Sequence, residues 1–275
     1  MKFIKGYKLF ESERISVSNG KLNTTQSNYR IFTPEERSII QLCTIYRIKN
    51  YIINDDFTID VTNGDVDISD CSLTELPLRF NRVEGNFNCS SNQLTTLDGC
   101  PQYVNGDFRC DSNELESLIN GPKFVGGIYY IQNNLIQTLD ELKDVEFNYI
   151  EVENNCIANI SIDMANKIDM DREDGGIGEN PIDTLIYSLL ILNIGYKKGQ
   201  DDVENEVYLN IIERLDEFEV IQPTDHIGYY EIDLINLNRL FDFYDEEFDE
   251  ESVKKHILLE FEHSNYGFNT YYKFV

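Results

Sequence analysis

Gly85-Asn-Phe-Asn-Cys-Ser-Ser-Asn-Gln-Leu-Thr-Thr-Leu97 is followed, 21 residues on, by Gly106-Asp-Phe-Arg-Cys-Asp-Ser-Asn-Glu-Leu-Glu-Ser-Leu118. The same register extends in both directions, from Gly64 to about Ile160. Phe87 recurs as Val66, Phe108, Tyr129 and Ile150, and Cys89 as Ile68, Cys110, Ile131 and Val152. Leu94 recurs as Leu73, Leu115, Ile136 and Ile157, and Leu97 as Leu76, Leu118, Leu139 and Ile160. Asn92 recurs as Asn113, Asn134 and Asn155, with Cys71 in its place in the first copy. Five copies in one register mark a repeat architecture, in which each coil buries its apolar side chains against its neighbours.

The chemistry of each position fits that reading. Phe87-x-Cys89 alternates with period two, which predicts a short strand turning both side chains to one face. The Asn that follows stands where the chain leaves the strand. A buried Asn there can bond to the backbone of the turn, and stacked copies form a ladder. Cys is tolerated in this position because it is small and survives burial. The Leu94 and Leu97 positions close the far side of the coil.

The pattern Phe/Val-x-Cys/Ile-x-x-Asn/Cys-x-Leu-x-x-Leu resembles the leucine-rich repeat, including its exchange of Asn for Cys. Gly64-Asp-Val-Asp-Ile-Ser, Gly99-Cys-Pro-Gln-Tyr-Val-Asn-Gly106 and the lead-in Tyr51-Ile-Ile-Asn-Asp-Asp-Phe-Thr-Ile-Asp-Val61 resemble the short repeats of large tailed bacteriophages. The resemblance covers residues 50 to 162. It implies a parallel solenoid that recognises a protein, acting in the bacterial cytoplasm on a host protein such as a defence protein. One departure stands out. The Leu that usually stands three residues before the Phe position is replaced by Gly-x dipeptides, so each coil is expected to make a tight turn there instead of a further apolar contact.

Composition bounds the rest. The chain has 275 residues and 41% apolar content, with no apolar run long enough for a membrane span. Its start, Met1-Lys-Phe-Ile-Lys-Gly-Tyr-Lys, lacks the apolar core of a secretory signal, so a cytoplasmic location is expected. The six Cys make no paired framework and suit a reducing compartment. Stacking would bring Cys89 and Cys110 to about 5 Å, which raises zinc, but no Cys-x-x-Cys or neighbouring His supports it. The net charge of -27 opposes affinity for nucleic acid phosphates or anionic membranes. It speaks for solubility and also for fast encounter with a basic partner.

The fold class expected is α+β: a leucine-rich-repeat solenoid with an N-terminal helical cap and a mainly helical, acidic C-terminal domain. Residues 1–62 form the cap, 63–163 the five repeats, 164–181 a linker and 182–275 the C-terminal domain. Residues 1 to 30 are polar and turn-rich, with short strands expected. Thr33-Pro34-Glu35-Glu36 is a capping box that starts a helix over 34–49. In the linker, Asp169-x-Asp171-x-Glu173-Asp174-Gly175 has its Gly one place late for a calcium loop, and Asn180 stands where a bidentate Glu is needed. It reads as a solvated acidic stretch. Helices are expected from Asn180-Pro181 to Gly195, around Val203–Phe218, near Ile232–Tyr244 and from Glu250 to Phe261. The aromatic tail Tyr266–Val275 is expected to dock as a strand or anchor on the core.

Side chains flanking the buried strand positions point outward: Asp65, Asp67 and Ser69; Asn86, Asn88 and Ser90; Asp107, Arg109 and Asp111; Ile128, Tyr130 and Gln132; Tyr149, Glu151 and Glu153. Exposed aromatics among polar neighbours have the composition of a binding hot spot; cover of Tyr130 and Tyr149 by the C-terminal domain is the alternative. Asp245-Glu246-Glu247-Phe248-Asp249-Glu250-Glu251 is either a helix start favoured by the macrodipole or an acidic finger around Phe248 for a basic groove. The candidate protein-binding residues are therefore Arg109, Ile128, Tyr130, Gln132, Tyr149, Glu151, Glu153, Asp245, Glu246, Glu247 and Phe248.

No P-loop, Gly-x-Gly-x-x-Gly, Gly-x-Ser-x-Gly or His-Glu-x-x-His is present. His226, His256 and His263 all lie in the C-terminal part without a marked nucleophile, and the last Cys, Cys156, lies inside the repeats. The reading is a non-enzymatic protein-binding module with no cofactor and no metal. A DNA-mimic decoy for a nucleic-acid-binding protein is one alternative, and an enzyme with an unmarked C-terminal site is another. A virion structural role has no self-association motif in its favour.

Overall fold

The computed structural model describes residues 15–18, 21–22, 32–157, 160–168, 180–192, 194, 204–224, 226, 229–263 and 271–275. In chain order the elements are β1 (Ile15–Ser18), β2 (Lys21–Leu22), α1 (Pro34–Ile45), β3 (Tyr51–Ile53), β4 (Ile59–Val61), β5 (Val66–Asp67), β6 (Phe80–Val83), β7 (Phe87–Asn88), β8 (Tyr103–Val104), β9 (Phe108–Arg109), β10 (Phe124–Tyr130) and β11 (Glu146–Glu151). There follow α2 (Ile162–Lys167), α3 (Pro181–Ile191), α4 (Glu204–Phe218), β12 (Ile221–Pro223), β13 (Tyr229–Ile232), α5 (Leu234–Phe243), α6 (Glu250–His263) and β14 (Tyr271–Phe274). The chain divides into two compact units. One comprises Met1–Glu114, Ile119–Tyr130 and Asp144–Tyr149, the other Leu115–Leu118, Ile131–Lys143 and Ile150–Val275.

The repeats form a solenoid of stacked parallel coils, about four turns in all. Each coil carries two strands where the sequence reading had one. The expected ladder is β5, β7, β9 and the second half of β10, with Val66, Phe87, Phe108 and Tyr129 in register. A second parallel ladder precedes it: β4, β6, β8 and the first half of β10, with Val61, Val83, Val104 and Val125 in register and a bulge between Ile59 and Asp60. Gly64, Gly85 and Gly106 fall between the two strands of their coils, but Gly126 and Gly127 lie inside β10, so the expected tight turn is not made in every coil, and buried Val61, Val83, Val104 and Val125 supply the apolar contact.

The first unit is filled by rings. Phe80 meets Phe87 edge-on at 5.0 Å, Phe87 stacks on Phe108 at 5.5 Å, and Phe108 meets Tyr129 edge-on at 5.1 Å. All four are buried. Each burial stabilises by about 1.5–3 kcal/mol, and each ring pair adds about 0.5–1.5.

The helix α1 begins with the predicted capping box, Glu36 N–H to Thr33 Oγ1 at 3.2 Å and Thr33 N–H to Glu36 Oε2 at 2.9 Å. It ends at Ile45, earlier than the expected residue 49, because Arg47 takes a left-handed φ of 58°. Ile48 N–H then bonds Cys43 O at 2.8 Å and Arg47 N–H bonds Thr44 O at 3.4 Å, the two bonds of a Schellman stop. An Arg in the place usually held by Gly hid this terminus.

In the second unit, α3 packs on α6, and α4 on α2 and α5, around Leu185, Ile186, Leu189, Val207, Ile211, Leu215, Leu237, Leu240 and Ile257, all buried. The unit also holds a three-stranded sheet, β12–β13–β14, in which β14 realises one of the two alternatives for the aromatic tail, docking as a strand. The Asp233 side chain caps α5 by accepting the N–H of Asn236 at 2.9 Å. The segment 164–181 opens inside a helix, since α2 runs to Lys167, and closes on Asn180, which is buried. The acidic stretch 169–175, Gly195 and Tyr266 to Asn269 lie outside the described residues. No described helix is long and apolar enough to cross a membrane.

Candidate interaction surface

Two side-chain ladders join the coils, and they decide which outward residues remain free to act. The inner ladder is built by the repeating Asn. Asn92 Oδ1 accepts the N–H groups of Cys71 and Leu73, each at 3.0 Å, while its Nδ2 donates to Ile68 O and Cys89 O, each at 3.0 Å. Asn113 does the same for Leu94 N–H (3.0 Å), Asn134 for Leu115 N–H (3.0 Å) and Asn155 for Ile136 N–H (3.1 Å). Each Asn reaches back to the coil before it. The first coil has no predecessor, which explains why Cys71 suffices there.

The outer ladder uses residues that the sequence placed on the open face. Asp65 Oδ1 accepts Asn86 N–H at 2.8 Å, Asn86 Oδ1 accepts Asp107 N–H at 2.8 Å, and Asp107 Oδ1 accepts Ile128 N–H at 2.9 Å. A Cβ at Gly85, Gly106 or Gly127 would collide with these same Asp65, Asn86 and Asp107 oxygens, so the repeating Gly makes room for the ladder. Asp67 Oδ1 accepts from Ser69 N–H at 3.1 Å and Asn88 Oδ1 from Ser90 N–H at 3.1 Å. These polar side chains are committed to the fold.

Of the candidate residues, Arg109, Ile128, Tyr130 and Tyr149 belong to the first unit and the others to the second. Arg109 and Tyr130 are register partners on β9 and β10, and the guanidinium lies 4.3 Å from the centre of the Tyr130 ring. Its Nε stands 3.3 Å from Asp111 Oδ1. The cation–π contact and the ion pair hold the guanidinium over the aromatic ring. Ile128 and Tyr149 are half-buried.

In the second unit, Gln132 is half-buried, and its Oε1 is buried without a hydrogen-bond partner. Burial, and then the neighbouring Glu153 carboxylate, raise the Glu151 carboxyl above its ordinary range. Asp245 and Glu247 are exposed and Glu246 is half-buried. The Phe248 ring is half-buried and meets buried Phe241 edge-on at 5.2 Å, so part of the ring is committed to the core.

Sequence reasoning missed the outward row of the second ladder. Arg82, Tyr103 and Phe124 stand opposite one another there, and Tyr103 is 44% exposed. The valines one place after them, Val83, Val104 and Val125, recur every 21 residues and carried the signal.

Charge is also unevenly spread. The second unit holds 32 Asp and Glu against 10 Lys and Arg, net −22, whereas the first holds 18 against 13, net −5. Among the histidines, His226 is exposed, with its ring 6.0 Å from Tyr229, and His256 lies on α6 with Nε2 buried and without a hydrogen-bond partner. The His263 side chain lies outside the described residues. Among the described residues no group of three or more His, Cys, Asp or Glu could hold a metal. No protein-family model, curated protein or solved structure matches the chain.

Proposed function

We propose that the chain is a non-enzymatic protein-binding module of the short leucine-rich-repeat type, made by a bacteriophage to bind and inhibit or redirect a host defence protein in the bacterial cytoplasm. The resemblance of the 21-residue repeat to phage leucine-rich repeats supports its type and origin. The observation that carries binding is the Arg109–Tyr130 pair, 4.3 Å apart on an outward row. Arg and Tyr are the side chains over-represented among binding hot spots, and a pair held together on ladder strands loses little entropy on docking. Tyr103 adds an exposed ring on the other outward row.

A second reading is a DNA-mimic decoy. It is favoured by the net −22 of the second unit and by the exposed acids Asp245 and Glu247, which make no ion pair among the described residues.

The test is affinity capture from bacterial lysate at low and high salt, run side by side with wild type and the variants R109A/Y130A and D245N/E246Q/E247Q. One dominant partner held at high salt and lost with R109A/Y130A supports the first reading. Capture of DNA-binding proteins that falls with added salt and with the acidic variant supports the second. Many basic proteins captured by all three forms and shed at high salt would sink both.

A further inference from the structure

The two ladders of the solenoid end differently on the N-terminal side. The ladder that begins with β4 is closed by the antiparallel strands β3, β1 and β2, whereas β5 is the last strand of its own ladder. Val66, Ile68 and Asp70 send their N–H groups into the second coil, to Asn86 O, Asn88 O and Ser90 O. By strand alternation the backbone groups of Asp67 face the other way, where no strand pairs with them among the described residues. Such an edge is a template for another strand.

The residues along that edge differ in charge from those of the second coil, while the third coil again carries an Asp, Asp107, at the place of Asp65. The first coil has Asp65, Asp67 and Asp70 where the second has Asn86, Asn88 and Ser91. All three aspartates are exposed, and among the described residues none of them makes an ion pair. The fold does not need the charge. Asn86 makes the same inter-coil bond as Asp65, at 2.8 Å in both cases, and Asn88 makes the same turn bond as Asp67, at 3.1 Å in both. Ser91 takes the left-handed conformation of Asp70, φ 55° against 50°. Uncharged residues do the structural work one coil later.

We propose that Asp65, Asp67 and Asp70 form an electrostatic guard that stops a second copy of this chain from adding its own β5 to the open edge. The pairing they prevent is isologous: two β5 strands related by a twofold axis, extending the ladder across two molecules. Strand spacing in that arrangement is about 4.8 Å, which would set six carboxylates in two facing rows. Like charges facing one another at an interface are repelled by several kcal/mol, enough to hold a short edge open.

The experiment compares wild type with D65N/D67N/D70S by sedimentation velocity over a concentration series. Cross-linking with a short bismaleimide at Cys71, the one exposed cysteine of the six, locates the contact at this edge. Wild type is expected to stay monomeric, and the triple variant to dimerise about a hundredfold or more tightly, with Cys71–Cys71 cross-links. A second variant, D70S alone, leaves both Asp65 and Asp67 bonds in place and keeps the test usable where the triple variant misfolds; it should shift in the same direction by a smaller factor. A folded variant as monomeric as wild type overturns the proposal. So does a wild type that already dimerises with Cys71 cross-links.

Discussion

The Asn180 side chain accepts the backbone N–H of Asn155 at 3.0 Å and donates to Val152 O at 3.1 Å. It therefore stands 25 residues after Asn155 as the next rung of the Asn ladder, while also occupying the N-cap of α3. Its Oδ1 lies 3.4 Å from Ile157 N as well, and it makes no side-chain cap bond to its own helix.

That double position gives a prediction whose sign separates the two roles. At an ordinary N-cap, Asn→Ser is close to neutral. At Asn180 the shorter Ser cannot span to Asn155 N–H and Val152 O, so N180S should cost about 2–4 kcal/mol, as two or more buried backbone groups lose partners. Chemical denaturation reads this directly; a neutral N180S would mean that the rung bonds carry no stability.

Inside the solenoid the same chemistry makes Asn irreplaceable by its acid. Asn113 donates to Cys89 O at 3.1 Å and Cys110 O at 3.0 Å and accepts from Leu94 N–H at 3.0 Å. Asn113→Asp keeps the acceptor but turns a carboxylate towards two carbonyl oxygens. It should destabilise more than Asn113→Ala, itself expected to cost about 2–4 kcal/mol. Denaturation midpoints of the two variants in the reverse order would contradict the assigned bonds.

The thiols give a readout without mutagenesis. Burial raises the Cys89, Cys100 and Cys110 thiols well above their ordinary range and pushes Cys43 up to about 12. Cys156 is raised too, again mainly by burial. Thiolate is the reacting form, so of the six cysteines only exposed Cys71 should be alkylated in the native state, with the other five following on denaturation. Peptide mass spectrometry after a short iodoacetamide pulse checks it; rapid native labelling of Cys89 or Cys110 would mean that the coils open.

Glu151 predicts a pH dependence. Its folded carboxyl titrates above the ordinary 4.5, so the folded chain binds more protons than the unfolded chain across that window. Its contribution to stability is greatest at lower pH and is lost as pH rises from about 4.5 through the raised folded value. E151Q should remove this decline and match or exceed wild type in thermal stability near neutrality. An unchanged pH profile in E151Q would assign the effect elsewhere.

How much of this was legible in the sequence follows from where each signal lives. The period of 21 announced the coils because five copies repeat their buried side chains. The second ladder stayed hidden, since a lone Val beside a Gly turn has no alternation of its own to read. Asn180 was invisible as a rung because its spacing of 25 breaks the period and Pro181 makes it look like an ordinary helix start. Alternation marks Asp65, Asn86 and Asp107 as outward, since it tells which way a side chain points but not whether it bends back to the next coil. At the candidate surface, the Arg109–Tyr130 pairing follows from register, whereas the packing of Phe248 depends on where Phe241 sits in α5. No local pattern encodes that.

The rungs also give the repeat a polarity. Because every Asn serves the coil behind it, the two termini of the stack are chemically unlike. At the front, the position can be left blank, and Cys71 leaves it so. At the rear, Asn155 and Ile157 would be left with amides that only a residue from outside the repeat can satisfy. Coils can be deleted from the front of such an array by changing one side chain, but none can be removed from the rear unless a closing residue is moved with it. An engineered array cut or fused at this end must bring its own Asn180.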